Sequence, residues 1–225
     1  MITPSFKAVA DHALLVEFGT MVDDDVNRTA IALDKSLATA SIEGVNEVIP
    51  GMVNLLVIFD PLKTGHMKVQ SAVEQLLPVD QQASDSGREH LVNVCYEDPF
   101  GPDLEAVAKA CGMSTDAVIN AHSASRYRVS MYGFAPGFAY LSGVPDAIQV
   151  PRKNSAVRDI AAGSVLIAGP QCLTTTLIMP TGWSIIGRTD VQVITGKPER
   201  PFLYDVGDTV RFRRVAVDEL KGDVG

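Results

Sequence analysis

The chain has 225 residues, of which 46% are hydrophobic, and its 27 acidic and 19 basic residues give a formal net charge of −8 at pH 7. This hydrophobic content excludes a disordered or fibrous protein. The net negative charge offers no overall attraction to phosphate backbones or anionic lipids, so neither nucleic acid nor a membrane surface is an expected partner.

The cysteines favour a cytoplasmic protein. Cys95, Cys111 and Cys172 are an odd number at long spacings, without a C-x-x-C pair, which fits a reducing compartment better than a disulfide framework or a structural zinc site. No basic stretch followed by an apolar run lies near the start, so we expect no secretory signal. Glycines and prolines interrupt the uncharged stretch 129–145, so we expect no membrane-spanning helix there.

The first part of the chain alternates strand and helix patterns. The acidic run at 23–25 suits a helix N-terminus, and apolar residues three or four apart follow it. The predicted elements are a strand at 12–18, a helix carrying Val26, Ala30, Leu33 and Leu37, strands at 45–49 and 53–59, a helix carrying Val69, Val73, Leu76 and Leu77, and a strand at 91–94. The order β-α-β-β-α-β predicts a small split βαβ, ferredoxin-like α+β domain.

The second part opens with two short helices and then becomes β-like. The first helix has Pro102 near its start and Gly112 as its stop, and Ser114 or Thr115 caps the second, which runs to about His122. The predicted strands are 127–131, 164–168, 174–178, 183–186, 191–194 and 209–212. Many short strands divided by Gly and Pro turns predict a closed or sandwiched β architecture.

A polar, turn-rich segment at 78–87 predicts a linker between these parts. The expected organisation is an N-terminal α+β domain at 1–80, a linker at 81–90 and a β domain at 91–220. Nine of the eleven arginines lie in the second part. Because the guanidinium fork suits carboxylates and phosphates, a site for an anionic small molecule is expected there.

The sequence lacks the common catalytic fingerprints: phosphate-binding glycine loops, a G-x-S-x-G elbow and an H-E-x-x-H motif. The most unusual segment is 133–141, in which Gly133, Pro136 and Gly137 shape a turn and Phe134, Phe138 and Tyr140 supply aromatic surface. Such a segment can wall a ligand pocket. The alternative is a tight β-bend whose aromatic residues belong to the core.

Other candidates carry polar chemistry. Arg152 and Arg188 can clamp a carboxylate or phosphate, and Gln171 can orient an amide or carbonyl group, although an isolated arginine more often serves a structural ion pair. Trp183, the single tryptophan, is by itself more typical of a core anchor. Cys172 is a weak candidate nucleophile, because no histidine base is evident near it in the sequence.

Several linked motifs resemble one family. They are Phe100-Gly101-Pro102-Asp103-Leu104, Ala121-His122-Ser123, the run 133–141, Pro151-Arg152, Ala162-Gly163-Ser164-Val165, Ile167-Ala168-Gly169, and Gly182-Trp183 through Ile186-Gly187-Arg188-Thr189. Together they resemble the KipI family, whose members are also called 5-oxoprolinase B subunits, allophanate hydrolase subunit 1, or carboxyltransferase subdomains C and D. Residues 14–18 and 55–62 also resemble its N-terminal domain, so the resemblance covers nearly the whole chain.

The resemblance implies an N-terminal α+β domain followed by a cyclophilin-like β-barrel, and a subunit that is not active alone. Its implied partners are a KipA-like subunit, which is the C component of 5-oxoprolinase, and a LamB/YcsF-like subunit, which is the A component. The resemblance further implies that the subunit, together with these two partners, opens 5-oxo-L-proline to glutamate with hydrolysis of ATP. A related domain of urea carboxylase transfers a carboxyl group to urea. Both reactions act on a carbonyl beside an amide nitrogen, for which hydrogen-bond donors are expected.

On this reading Gln171 and Arg152 are the expected catalytic residues. Arg188 and the run from Gly133 to Tyr140 bind substrate, ATP is bound by the complex, and no metal is expected in this chain. The segment 172–176 departs from the Thr-Gly-Ile-Tyr-Pro-like run usual in the family, so a substrate other than 5-oxoproline is also possible. A KipI-like protein that inhibits a sensor histidine kinase is the alternative function, and a prolyl isomerase by barrel analogy is a weak third.

Overall fold

The computed structural model describes residues 2–81 and 87–220. The chain divides into two compact units, Met1–Gly87 and Arg88–Gly225. Of the predicted linker, residues 82–86 lie outside the described residues, and Glu89 and His90 already belong to a strand of the second unit.

The first unit is a four-stranded antiparallel sheet with two helices. Its elements are β1 (Ser5–Val9), β2 (Ala13–Glu17), α1 (Asp24–Ala40), β3 (Val45–Pro50), β4 (Asn54–Phe59) and α2 (His66–Gln75). The strand order is β1-β2-β4-β3. Asp23 caps α1, since its carboxylate accepts hydrogen bonds from the N–H groups of Asp25 and Val26. Apolar side chains of both helices pack on the central strands β2 and β4 as one core.

The prediction that the strand at 91–94 completes the first sheet is wrong. This strand, β5 (Glu89–Val94), pairs in parallel with the last strand of the second unit. The position beside β2 is filled instead by β1, which precedes it and pairs with it antiparallel. Most residues of β1 are exposed, so it lacks the alternating pattern that would have identified it. An alternating pattern identifies a strand, whereas its neighbours in a sheet depend on long-range pairing.

The second unit contains a seven-stranded sheet and two helices. Its helices are α3 (Leu104–Cys111) and α4 (Thr115–Ala124). Its later strands are β6 (Arg126–Tyr132), β7 (Ala139–Ser142), β8 (Val157–Ile160), β9 (Ser164–Ala168), β10 (Gln171–Thr174), β11 (Met179–Thr181), β12 (Ser184–Arg188), β13 (Ile194–Lys197), β14 (Arg200–Phe202) and β15 (Thr209–Arg214). Gly112, in the left-handed conformation, ends α3, and Ser114 caps α4, as predicted.

The large sheet closes into a barrel. Its order is β12-β9-β10-β7-β6-β15-β5, and β8 with β11 and β13 with β14 form two separate pairs. Just beyond β5, Cys95 exchanges backbone hydrogen bonds of 2.8 and 2.9 Å with Arg188 at the end of β12. The two edges of the sheet therefore meet, and the predicted α+β class with a β-barrel is confirmed. No helix within 2–81 and 87–220 is long and apolar enough to cross a membrane.

The starts of two predicted strands are displaced along the sequence by three residues in the structure. The strand predicted at 174–178 is instead β10, which ends at Thr174. Beyond it the hydroxyl of Thr175 donates to Ala161 O and accepts from Ser164 N, both at 2.8 Å, so side-chain bonds supplement the last backbone bonds to Ser164 and Gly163. The strand predicted at 191–194 begins only at Ile194.

A buried carboxylate joins the two ends of the barrel unit. Asp208, 2% exposed, accepts hydrogen bonds from Arg88 N–H at 2.7 Å, the His90 ring at 2.7 Å and Asp205 N–H at 2.9 Å. Burial by itself would raise the pKa of Asp208, but the bonds from Asp205, His90 and Arg88 outweigh it and hold that pKa below its ordinary value. The carboxylate therefore stabilises the fold in its charged form.

We expect Asp208→Asn to lower the free energy of unfolding by about 2 kcal/mol at pH 7, because the amide cannot accept from all three donors. A lowered folded-state pKa contributes stability above the unfolded value of about 3.9, and that contribution is lost as the pH falls through the folded pKa. The difference in unfolding free energy between Asp208→Asn and wild type should therefore become smaller in acid. Urea unfolding, followed by circular dichroism at several pH values, measures this free energy.

The exposed Asp205 provides the control, because Asp205→Asn keeps the backbone N–H that Asp208 accepts. Its free energy of unfolding should change by no more than about 1 kcal/mol. A variant at Asp208 that is as stable as wild type at pH 7, or a difference that does not narrow in acid, would contradict the expectation.

Candidate functional site

The loop between β6 and β7 presents an aromatic side chain to solvent. Gly133 N–H donates to Phe138 O at 3.2 Å, and Phe138 N–H donates to Ala135 O at 3.0 Å. Within this turn Phe134 has a φ of 69°, an uncommon conformation for a residue with a side chain, and is 72% exposed. Gly137 also has a positive φ, of 71°, and a Cβ there would lie 3.0 Å from Ile194 Cγ1. The loop thus holds Phe134 outward and requires glycine at 137.

A series of aromatic contacts leads from this loop across the sheet. The ring centroids of Phe134 and Phe138 are 5.2 Å apart, those of Phe138 and Tyr140 are 5.2 Å apart, and those of Tyr140 and Trp183 are 6.0 Å apart. Phe138 and Trp183 are buried in one core cluster, together with Leu173, whereas Tyr140 is partly exposed. Phe138 thus belongs to the core, as the core-bend alternative expects, while Phe134 and Tyr140 leave aromatic surface exposed and the pocket wall stays a prediction.

Arg152 lies on the last ring of the series. Its guanidinium carbon is 5.5 Å from the centre of the Trp183 ring, within cation–π range. Trp183 is 5% exposed, while Arg152 is exposed. Within 2–81 and 87–220 no carboxylate forms an ion pair with Arg152. Its hydrogen-bond donors are thus available to an anionic ligand.

Gln171 lies on the same face of the sheet as Trp183. It is the first residue of β10 and lies between Ser142 of β7 and Ala168 of β9. Ser184 is paired with Ile167, so Trp183 lies beside Ala168 in the same row. Side chains alternate along a strand, so Gln171 lies on the face of Leu173 and opposite to that of Cys172. Two strand spacings separate the backbones of Gln171 and Trp183, which is roughly 10 Å.

The predicted loop residues lie at the other end of β10. The hydroxyl of Thr176 donates to Pro136 O at 2.9 Å, which places Gly133, Pro136 and Gly137 beyond the end of the strand. Five residues of extended chain from Gln171 to Thr176 span roughly 16 Å. The loop therefore reaches the Arg152 region only through the aromatic series.

The structure does not bring Arg188 together with Arg152. Arg188 ends β12, where it donates to Ala162 O at 2.7 Å and lies 5.8 Å from the Phe100 ring. Partial burial lowers its pKa. Five extended residues separate it from Trp183, again roughly 16 Å. The two predicted anion clamps therefore do not meet at one point of the barrel.

A buried hydrogen-bonded group was missed in the sequence. His122 Nδ1 lies 2.7 Å from the Tyr96 hydroxyl, and its Nε2 lies 3.5 Å from Cys172 Sγ. The histidine also stacks on Phe212 with ring centroids 4.7 Å apart. The histidine beside Cys172 is not evident in the sequence, because the fold brings together residues fifty positions apart. The Ala121-His122-Ser123 motif was the one available signal.

This buried group is built for packing. Burial lowers the pKa of His122 to about 3, so the ring is neutral at pH 7 and has one donor and one acceptor nitrogen. Burial also raises the pKa of the Cys172 thiol, which disfavours the thiolate that nucleophilic attack requires. Within the described ranges, no group of three His, Cys, Asp or Glu side chains is arranged to hold a metal ion.

Comparison with known proteins decides the family. The family model of the carboxyltransferase domain, subdomain C and D, matches residues 4–204. The chain belongs to this family. It is 34% identical over 221 residues to the 5-oxoprolinase B subunit of Bacillus subtilis (strain 168), a match covering 93% of this chain and 92% of the relative.

A second relative of this carboxyltransferase C and D chain is the 5-oxoprolinase B subunit of Escherichia coli O157:H7, 36% identical over 171 residues, which are 75% of this chain and 77% of the relative. The solved structure of TTHA0988 superposes with a TM-score of 0.80 at 31% identity and covers 91% of this chain. This chain matches only 40% of the length of TTHA0988. The family resemblance recognised from the sequence is confirmed.

We expect iodoacetamide to modify Cys111 alone in the native protein. Cys95 and Cys172 are buried, and burial raises the pKa of both thiols, whereas Cys111 is partly exposed. Peptide mass spectrometry of native and guanidinium-unfolded samples measures the labelling, and all three cysteines should react once the protein is unfolded. Rapid native modification of Cys172 would show that the buried thiol is accessible.

Proposed function

We propose that this chain is the B subunit of an ATP-dependent 5-oxoprolinase that opens 5-oxo-L-proline to L-glutamate. The chain is homologous to 5-oxoprolinase B subunits over most of its length. The observation that carries the choice of site is the Arg152 guanidinium, which lies on the indole of Trp183 without a carboxylate partner among the described residues. 5-Oxo-L-proline combines a carboxylate, a flat ring and an amide, and this face offers a group for each.

Arg152 binds the substrate carboxylate in this proposal. Its guanidinium presents a planar set of donors that matches a carboxylate, and its position over the indole limits the side-chain freedom that binding would otherwise have to freeze. The partly exposed Tyr140, packed against the buried Trp183, provides flat surface for the lactam ring. The site is thus specific for a small, flat anion.

Gln171 orients the lactam amide. Its side-chain amide has both donors and an acceptor, so it can donate to the lactam carbonyl oxygen as negative charge develops there. Gln171 is partly buried and lies in one row with Ala168 and Trp183, with roughly 10 Å between its backbone and that of Trp183. The loop that carries Phe134, Pro136 and Gly137 borders the site only through Phe138 and Tyr140, and Arg188 serves a separate contact.

Partner subunits complete the enzyme in this proposal. One is KipA-like and the other is LamB/YcsF-like, and one or both bind ATP. The sequence of this chain carries no phosphate-binding glycine loop. The longer chain of TTHA0988, of which this chain matches 40%, is consistent with a fold that functions joined to further domains.

ATP-dependent release of glutamate from 5-oxo-L-proline by this chain, coexpressed with the two partner subunits, tests the function. We expect turnover by the complex and a KM for 5-oxo-L-proline raised about 10- to 100-fold in Arg152→Ala, because a charge-assisted hydrogen bond contributes about 1.5–3 kcal/mol. The exposed Arg158 of β8 is the matched control, and Arg158→Ala should stay within about twofold of wild type.

A complex that assembles but releases no glutamate would refute the proposal. Binding to a histidine kinase dimerisation domain by the same preparation would then favour the KipI-like regulatory function. Equal KM values for wild type and Arg152→Ala in an active complex would instead place the carboxylate elsewhere on the protein.

A further inference from the structure

The segment that carries Arg152 has no regular secondary structure, yet two backbone bonds flank it. Val150 O accepts from Gly169 N–H at 2.7 Å, and Lys153 N–H donates to Gly182 O at 2.7 Å. The second of these bonds lies one residue from Arg152 on one side and one residue from Trp183 on the other. This bond therefore fixes the position of the segment that carries Arg152 relative to the segment that carries Trp183.

An ion pair of Lys153 also anchors the segment that carries Arg152. The Lys153 ammonium forms an ion pair with Asp103 Oδ2, and both side chains are only 22% exposed. Water therefore screens this pair less than it screens the other lysine–carboxylate pairs among the described residues, such as that of Lys63, which is 64% exposed. The Lys153 side chain is held away from Arg152 and towards the start of α3.

Asp103 also binds the strand that follows Trp183. Its Oδ2 accepts from Ile185 N–H at 2.7 Å, and its own N–H donates to Ile185 O at 3.0 Å. One carboxylate oxygen therefore receives both the Lys153 ammonium and an N–H of β12. Through Asp103, the residue that follows Arg152 and the strand that follows Trp183 are joined to the same helix start.

We propose that Lys153 and Asp103 are positioning residues that hold the Arg152 guanidinium over Trp183, ready for the substrate carboxylate. This inference rests on the function proposed above, since it assigns Arg152 the carboxylate. Neither residue touches the substrate. They act through Arg152, and their loss should weaken recognition of the carboxylate while leaving the amide chemistry intact.

The single tryptophan allows a test that needs no substrate. In the uniformly ¹⁵N-labelled full chain, Trp183 gives one indole N–H resonance, which senses the charge on its ring. We expect Lys153→Met to move this resonance in the direction that Arg152→Ala moves it, and the double variant to move it no further. If the resonance stays at its wild-type position in Lys153→Met, or does not respond to Arg152→Ala, the positioning role is overturned.

Kinetics of the complex provide the second readout. We expect Lys153→Met to raise the KM for 5-oxo-L-proline about tenfold with kcat within about twofold of wild type, and Lys153→Arg to restore most of the affinity. Lys63→Met, which removes an exposed ion pair with Asp60, is the control and should change neither constant. If Lys153→Met lowers kcat by as large a factor as it raises KM, and also lowers the melting temperature, its role is merely structural and the proposal is overturned.

Asp103→Asn covers the case in which Lys153→Met does not fold. The amide oxygen can still accept from Ile185 N–H, while the charge that attracts Lys153 is lost. It should give the same indole shift and the same rise in KM. If the wild-type complex shows no turnover, the function proposed above fails, and the indole resonance still decides whether the pair positions Arg152.

Discussion

The closure of the barrel between Cys95 and Arg188 is the constraint on which the second unit depends. Two backbone hydrogen bonds there join the ends of a seven-stranded sheet, so the edges at β5 and β12 meet at this point. The approach is close enough to require glycine at 187, where a Cβ would lie 2.7 Å from Val94 Cγ1 and 2.9 Å from Cys95 O. A side chain at that position would force the two edges apart.

Closure gives the sheet two buried faces with different uses. On one face α3 and α4 pack against a core that includes the neutral, buried His122. On the other face Phe138, Leu173 and Trp183 form a second core whose margin carries the exposed Arg152 and the partly exposed Tyr140. Alternation along β10 places Cys172 in the first core and Gln171 on the second face. One core supports the fold, and the other supports the candidate site.

Much of the local structure could be predicted from the sequence. The Asp23 cap, the Gly112 stop and the Ser114 cap are short-range signals, and the structure has the helices they predict. The end of β10 could not be predicted, because the threonines after it favour a strand by propensity while their hydroxyls bond to distant backbone. The partner of β5 was likewise decided by a strand more than a hundred residues away.

The sequence by itself determined the family, the α+β class and the residue types available for chemistry, because motifs, caps and hydrophobic periods are local. Only the tertiary structure decided which of those residues act together. Arg188 is five residues from Trp183 but lies at the far end of the same extended strand, whereas Arg152, distant in sequence, lies on the indole. A strand separates near neighbours by about 3.3 Å per residue, and sheet pairing and the Lys153–Asp103 pair bring remote segments together.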